Sequence, residues 1–367
     1  MRLCLRYTSI YRSEEMSMLK LFADQSPRVP QDSGWDDALR LGYCEVDAFY
    51  YSRWTAESGW DGQLYEHSGA MLELSPAASA LHYGQALFEG LKARRTQDGR
   101  IVLFRPVDNG RRLRSSAARL LMEPPSVSMF LEAVQAVVKA NARWVPGYKK
   151  GAFYIRPLLI GSGEVLGVSA AKEYTFCIFG CPAGKYMGGD KVIVLPSVHR
   201  AAPHGTGAAK AAGNYAGSLL PQKVARELGY VDALYLDARE DRYIEELGAA
   251  NFFAVLSDGT LVTPQLGSIL PGITRDSILT IAREKFGWIA VERPLSIEEV
   301  IDDAVETFYT GTAAFLAPVT VINYQGEDHK VGNGKPGPRA KQLVQALDEI
   351  QLQEQPDLWN WVVEVPV

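Results

Sequence analysis

Gly205–Leu220 reads GTGAAKAAGNYAGSLL, with Lys210 set among Gly205, Gly207, Ala208, Ala209, Ala211, Ala212 and Gly213. Side chains this small leave the backbone open to close approach by another flat body. Burial disfavours the charged form of an amine, and a neutral amine is what Schiff-base chemistry needs. The other reading is a Gly/Ala-rich loop with a solvated lysine, running into a helix over Gly213–Leu228. Two phosphate motifs are excluded. GxxxxGK[ST] needs glycine before the lysine and Ser or Thr after it, and Gly205-x-Gly207 lacks the third glycine of the dinucleotide fingerprint.

Outward from this loop, other chemistry-bearing residues stand in apolar surroundings. Glu245 and Glu246 lie in Tyr243–Ala254, part of a strand expected over Ile244–Leu256. Strand alternation sends one inward and one outward, and the inward one needs a cationic partner. The alternative is two exposed glutamates at a strand end. Arg156 interrupts the apolar strand Phe153–Ile160, two residues after Tyr154 and so on its face. It serves either a carboxylate ligand or a structural salt bridge. Gly272-Ile273-Thr274 opens a helix and Gly311-Thr312-Ala313 forms a turn; both offer backbone amides to a phosphate, with Arg112 as added charge.

The remaining chain sets the bounds. A length of 367 residues favours two domains or one large one, and 47% hydrophobic residues suffice for a real core. A net charge of −5 argues against a nucleic-acid partner, and no apolar run is long enough for a membrane helix. Cys177 and Cys181 have no nearby histidine, so they read as buried thiols in a reducing compartment rather than a zinc site, and no metal is expected. Arg2, Arg6 and Arg12 faintly suggest a mitochondrial presequence, but a flexible extension and a cytoplasmic protein are the preferred reading. Strands are expected at Tyr43–Arg53, Leu64–Leu74, Ala152–Gly161, Tyr174–Gly180, Val192–Pro196, Val231–Leu236 and Glu306–Gly311. Asp98-Gly99 and Asp258-Gly259 mark hairpin turns. Helices are expected from Asp108, over Ser126–Trp144, from Leu270 to Phe286, after Ser296 as a capping box, and over Pro338–Gln351. Strands and helices mixed in both halves, with hairpins, predict an α+β fold. Gly/Pro-rich Cys181–Asp190 marks the boundary: residues 1–39 an extension, 40–180 a small α+β domain, 181–190 a loop, and 191–367 a large second domain.

The segments LHYGQALFEGLKA, FRPVDNGRRLRSSA, YIRPLLIG, GTGAAKAAGNYAGSLLPQ, EELGAANFF, ILPGITRDS and GTAA, in this order, resemble the branched-chain amino acid aminotransferases, which are fold-type IV pyridoxal-phosphate enzymes. The resemblance covers about residues 40–367. It implies a D-amino-acid aminotransferase-like fold with a pseudo-barrel C-terminal domain. It also implies pyridoxal 5'-phosphate as cofactor and transfer of amino groups between leucine, isoleucine or valine and 2-oxoglutarate, giving glutamate. By the same resemblance Lys210 is the Schiff-base lysine and proton carrier, Glu246 pairs with the pyridine nitrogen while Glu245 faces elsewhere, and Tyr215 bonds the ring hydroxyl. Arg112, Ile273, Thr274 and Thr312 hold the phosphate. The Thr312–Ala313 amides hold the substrate carboxylate, supported by Tyr83, Tyr154 and Arg156. Phe88, Tyr186 and Tyr215 line the side-chain pocket, and Leu166 and Val168 reach in from the partner of a homodimer.

Two departures stand out. Ala314 and Ala317 occupy the positions of a CxxC pair found in animal members, which rules out thiol regulation there. Ala249 and Ala250 follow Glu246 where relatives carry Thr or Gly and then Met, which bears on substrate preference. Rivals on the same fold are D-amino-acid transaminase and aminodeoxychorismate lyase, against which YIRPLLIG and LHYGQALFEG weigh. A non-catalytic cofactor-binding protein would lack Lys210 or Glu246.

Overall fold

The structure, a computed structural model, describes residues 42–65, 71–184, 189–313 and 315–367. Two sheets dominate it. The first runs β19-β6-β5-β7-β8-β1-β2, with β3 on β1 and β4 on β7. Its main strands are β1 (Phe49–Thr55), β4 (Ala86–Phe88), β5 (Leu91–Arg95), β6 (Ile101–Phe104), β7 (Ala152–Gly161) and β8 (Tyr174–Ala183), and β19 (Val362–Val365) closes one edge. Short β2 (Gly59–Trp60) and β3 (Gln63–Tyr65) extend the other edge. Helices α2 (Pro106–Arg119) and α3 (Val127–Ala140) lie against this sheet, after a short α1 (Ser79–Tyr83). Phe130, Val134 and Val138 of α3 share a core with Leu103, Phe153 and Phe176.

The second sheet runs β14-β13-β12-β11-β10-β9-β17-β18, and β15 joins β12 to β16. Its inner strands are β9 (Lys191–Ile193), β10 (Asp232–Leu236), β11 (Ile244–Leu247), β12 (Asn251–Leu256), β13 (Leu261–Thr263) and β15 (Ala304–Gly311). The rest are β14 (Ala290–Glu292), β16 (Phe315–Val319), β17 (Val321–Tyr324) and β18 (Glu327–Lys330). Helices α4 (Ala212–Ala216), α5 (Leu219–Glu227), α6 (Ile273–Thr280), α7 (Ile297–Asp303) and α8 (Pro338–Gln351) complete it. Phe253 and Phe308 stack 5.0 Å apart and join the α6 and α8 apolar faces to β12 and β15. The mixture of sheets and helices is the expected α+β fold.

Local signals explain the elements that match expectation. Ser126 accepts a hydrogen bond from the Met129 N–H and starts α3, and Ser296 does the same for Glu299 at α7. Glu299 does not return the bond to close a box; it pairs with Arg293 instead. Proline opens α8 as expected, and it opens α2 as well, which therefore starts at Pro106 rather than at the expected Asp108. The Asp98-Gly99 and Asp258-Gly259 turns join β5 to β6 and β12 to β13, with Gly99 at φ 89° and Gly259 at φ 87°.

Several expectations are corrected. Ile244–Leu256 is not one strand but a tight hairpin, β11 and β12, in which Glu246 stands opposite Asn251. Gly213–Leu228 breaks into α4 and α5 at Gly217-Ser218. The strand expected from Tyr43 begins at Phe49, and of Leu64–Leu74 only Leu64 and Tyr65 are in a strand, β3; residues 66–70 lie outside the described residues. Strand β8 continues to Ala183, into the stretch expected as a loop from 181, because Ala152–Tyr154 of β7 pair with Cys181–Ala183. C-terminal β19 pairs with β6, so the last residues of the chain belong to the first sheet.

One irregularity positions the site. Along β7, Phe153–Ile155 pair with β5 and Leu158–Ile160 pair with β4. Arg156 and Pro157 fall in the gap, where Glu89-Gly90 crosses between β4 and β5 and the Glu89 N–H donates to the Pro157 carbonyl. A proline is tolerated here because this edge of β7 has no continuous ladder. Among the described residues no helix is long and apolar enough to cross a membrane.

Candidate active site

Lys210 sits on the seam between the two sheets. Its N–H donates to Ser116 Oγ of α2 at 2.9 Å, and its carbonyl accepts from the Phe88 N–H of β4 at 3.2 Å. On the other side, a Cβ added to Gly207 would lie 1.8 Å from the Ser268 carbonyl oxygen. The small residues of the loop therefore admit the protein's own backbone at Gly207, whereas Gly213 faces open space. Half-buried Lys210 donates through Nζ to the Tyr215 hydroxyl at 3.0 Å, a contact set by α4, which carries Tyr215. The Phe88 ring lies 4.9 Å from Nζ and 4.7 Å from the Tyr215 ring. The solvated-lysine reading does not describe this amine.

Glu246 carries the buried acid. It is 3% exposed, accepts from Arg200 Nη1 at 2.5 Å and Asn251 Nδ2 at 3.0 Å, and takes the Leu270 N–H at 3.3 Å. Burial pushes its carboxyl up to about 7, against the opposing pull of Arg200 and the Leu270 amide. The cation that strand alternation demanded is thus Arg200, which also lies 5.6 Å from the Tyr215 ring. Glu245 corrects the one-in, one-out expectation. It too is buried, at 5% exposure, because both faces of β11 are covered. It accepts from Ser268 Oγ, its Oε2 has no partner, and burial raises its carboxyl above the ordinary value.

A second ion pair stands at the break in β7. Arg112 meets Glu89 through Nε and Nη2, both at 2.8 Å, and donates through Nη1 to the Pro271 carbonyl at 3.1 Å. Asn109 adds a bond to Glu89 at 2.7 Å. Burial alone would raise the Glu89 carboxyl; the Arg112 charge and hydrogen bonds outweigh it and hold the group low. Three of the five guanidinium N–H donors of Arg112 are used, which leaves two. Arg112 thus ties α2 to the entry of α6. At that entry Gly272 is the N-cap, with no side chain to satisfy the first free amides, those of Ile273 and Thr274. Ile273, Thr274 and Thr312 line one small cavity with Gly90 and Asn109.

Arg156 finds no acid among the described residues, which removes the structural salt bridge. Its Nη2 donates to the Tyr154 hydroxyl at 3.2 Å, it lies 4.6 Å from the Phe88 ring, and its buried Nε has no partner. Tyr83, Leu166 and Val168 form an exposed group of their own. The Tyr83 hydroxyl donates to the Leu166 carbonyl, while the Leu166 and Val168 side chains are 88% and 87% exposed. Tyr186 and Ala314 lie outside the described residues.

The donor set suits a ring that carries an aldehyde, a basic nitrogen and a phosphate. An amine, a buried acid, free helix-entry amides and the spare N–H donors of Arg112 meet at one seam, and a ring with those three groups answers each of them. Sequence reasoning singled out Lys210, Glu246 and Arg112 but missed Arg200, Glu89 and Asn251. Glu89 was open to the rule that found Arg156, a lone charge in an apolar run. Arg200 and Asn251 carried no local signal.

Comparison with known proteins agrees. The chain matches the model of the amino-transferase class IV family over residues 86–322. It is 44% identical to the chloroplastic branched-chain amino acid aminotransferase 2 of Humulus lupulus over 340 residues, covering 91% of this chain and 82% of that one. Its fold is similar to the crystal structure of Escherichia coli branched-chain amino acid aminotransferase, with a TM-score of 0.75 and 32% identity over 88% of this chain and 100% of that one. The branched-chain amino acid aminotransferase of Thermobaculum terrenum, in its PLP-form, gives a TM-score of 0.74 at 25% identity, over 89% of this chain and 100% of that one.

Proposed function

Because the chain belongs to the class IV aminotransferases, we propose that the seam around Lys210 is the catalytic centre of a branched-chain amino acid aminotransferase and that its residues divide the work as follows. The enzyme moves the amino group of leucine, isoleucine or valine to 2-oxoglutarate. When bound, pyridoxal 5'-phosphate supplies an aldehyde to condense with amines and a ring to take up electrons from the α-carbon. Lys210 Nζ holds the cofactor at rest, then takes the proton from the substrate α-carbon and returns it on the other side of the transfer. Tyr215 keeps that amine aimed through the 3.0 Å bond and serves the ring hydroxyl. Glu246, clamped by Arg200 and Asn251, keeps the ring nitrogen protonated. The Ile273 and Thr274 amides, Thr312 and the spare donors of Arg112 hold the phosphate. Phe88 and Tyr215 supply apolar wall for the substrate side chain, and Ala249 and Ala250 shape its rim.

The observation that carries this reading is the amine of Lys210 and the buried acid of Glu246 held on one tyrosine: Lys210 bonds the Tyr215 hydroxyl and the Arg200 partner of Glu246 packs on its ring. The test is a panel of amino donors, both enantiomers, assayed with 2-oxoglutarate. L-Leucine, L-isoleucine and L-valine are expected to be the best donors; preference for D-alanine would move the assignment to D-amino-acid transaminase.

Arg156, with its unpartnered Nε, is assigned to the carboxylate end of the substrate together with Tyr154, and Tyr83 is assigned to support that end from the Leu166–Val168 loop to which its hydroxyl is bonded. Arg156→Met keeps most of the stem packing and drops the charge. Loss of one charge-assisted hydrogen bond weakens binding about ten- to a hundred-fold, so KM for both amino donor and 2-oxoglutarate should rise by that factor. The melting temperature should hold, because no acid loses its partner. A destabilised variant with unchanged KM values would make Arg156 structural.

The exposed Leu166 and Val168 are assigned to a homodimer in which they enter the partner's site. Sedimentation velocity should show a dimer in the active concentration range, with activity falling as the dimer dissociates on dilution. Full activity in a species that stays monomeric throughout would overturn the assignment. Cys44, Cys177 and Cys181 are free thiols, which suits the reducing cytoplasm where we place the enzyme.

A further inference from the structure

Lys92 is a cation that the assignments above leave unused. It lies on β5 directly opposite Tyr154 of β7, so the two side chains share one face of the first sheet. From there its Nζ reaches the turn after β15 of the second sheet and donates to the Ala313 carbonyl at 3.1 Å. Beside that turn runs a cleft of about 300 Å³, lined by Lys92, Ala313, Phe315, Leu316, Val344 and Gly151 among others. Packing therefore does not hold the turn on the cleft side. Phe315, just beyond the turn, has φ 64°, a left-handed conformation that a bulky side chain adopts only under constraint.

The charge of Lys92 is not spent locally. The nearby acid, Asp348, is taken by Arg94 at 2.6 Å, and Lys149 across the cleft pairs with Glu354. Among the described residues Lys92 has no ion pair. Its ammonium field is thus available to an anion at the turn.

We propose that Lys92 is a positioning residue, holding the Thr312–Ala313 turn in register and supplying the positive field that draws the substrate carboxylate to its amides. This rests on the assignment of that turn to the carboxylate. Because amino donor and oxo acid present the same carboxylate, Lys92 acts on both half-reactions alike.

The proposal has a pH signature. Burial, then the neighbouring Arg94, lowers the Lys92 ammonium to about 8, while Asp348 pulls the other way. The other groups facing it are Gln351 and Lys149 from the cleft wall and Tyr154 from β7. The ammonium is present below that value and lost above it. Arginine at the same place stays charged throughout.

The experiment measures KM and kcat for the 2-oxo acid, which has no amine to titrate, on the holoenzyme from about pH 6.5 to 9.5. K92M is expected to raise KM for both substrates about ten-fold, with kcat changed less than about two-fold. The wild-type KM should climb as pH passes through about 8, and K92R should keep a low KM without that climb. A K92R profile that follows the wild type, or K92M with unchanged KM, overturns the proposal; the arginine arm decides alone if methionine destabilises the turn. Ala313→Pro, which deletes an amide but keeps the carbonyl, separates the two assignments. If it raises KM and K92M does not, Lys92 fails and the turn stands; if neither moves KM, both fall.

Discussion

Replacing Lys210 with alanine is expected to abolish turnover and, with it, the visible absorption of lysine-bound cofactor. Lys210 Nζ is the amine at the seam, held by the Tyr215 hydroxyl and walled by the Phe88 ring. The substitution removes two functions at once, the covalent tether and the carrier of the α-proton. Proton transfer by a positioned group alone contributes about 10²–10⁴-fold, so a loss of at least four orders of magnitude in kcat is the expected result. The fold should survive, because the contacts that place the loop are made by the Lys210 backbone, through Ser116 and Phe88, and alanine retains both. The measurement is an absorption spectrum with added pyridoxal 5'-phosphate beside single-turnover kinetics. Near-normal turnover in this variant would sink the whole assignment.

Glu246→Gln carries the second largest effect. The variant should bind cofactor but transaminate about 10²–10⁴-fold more slowly, since an amide cannot keep the ring nitrogen protonated. Arg200 would then face a neutral group, and its charge would further oppose protonation of the ring. Glu245→Gln should be mild by comparison. Glu245 accepts from Ser268 Oγ, leaves Oε2 without a partner and makes no ion pair among the described residues, so glutamine breaks no charge pairing. Reversal of the two effects would exchange their roles. Glu246 also predicts a pH dependence in cofactor-free protein. Its carboxyl is raised from 4.5 to about 7 by burial, so the folded state holds a proton that the unfolded chain has released. Stability contributed by this group is therefore present at low pH and lost as pH rises from about 4.5 through about 7. The melting temperature of cofactor-free wild type, relative to Glu246→Gln, should fall across that window. A flat difference would show that Glu246 is ionised throughout.

Much of the fold was legible because its signals are local. A Ser or Pro at a helix start and an Asp-Gly turn act within four residues, and Ser126, Pro338, Asp98-Gly99 and Asp258-Gly259 appear where those rules put them. The break of Ile244–Leu256 into a hairpin was less legible. Gly248-Ala249-Ala250 carries no Asn-Gly or Asp-Gly signal, and an unbroken apolar run reads equally well as one long strand. The burial of Glu245 was hidden for a related reason. Alternation says which side a residue faces, not whether that side is covered.

By itself the sequence determined which residue types this protein would use: an amine in a Gly/Ala loop, an acid and a guanidinium in apolar strands, and amides at a helix entry. Their order along the chain was enough to identify the family. Only the tertiary structure decided which charge answers which. Arg200 meets Glu246 across 46 residues, Arg112 meets Glu89 across 23, and Lys92 reaches the Ala313 turn across 221. Such pairs depend on sheet register and on which groups lose water together. A buried charge must be matched by whatever the packing brings to it, and that partner is chosen by the fold rather than by any neighbour in sequence.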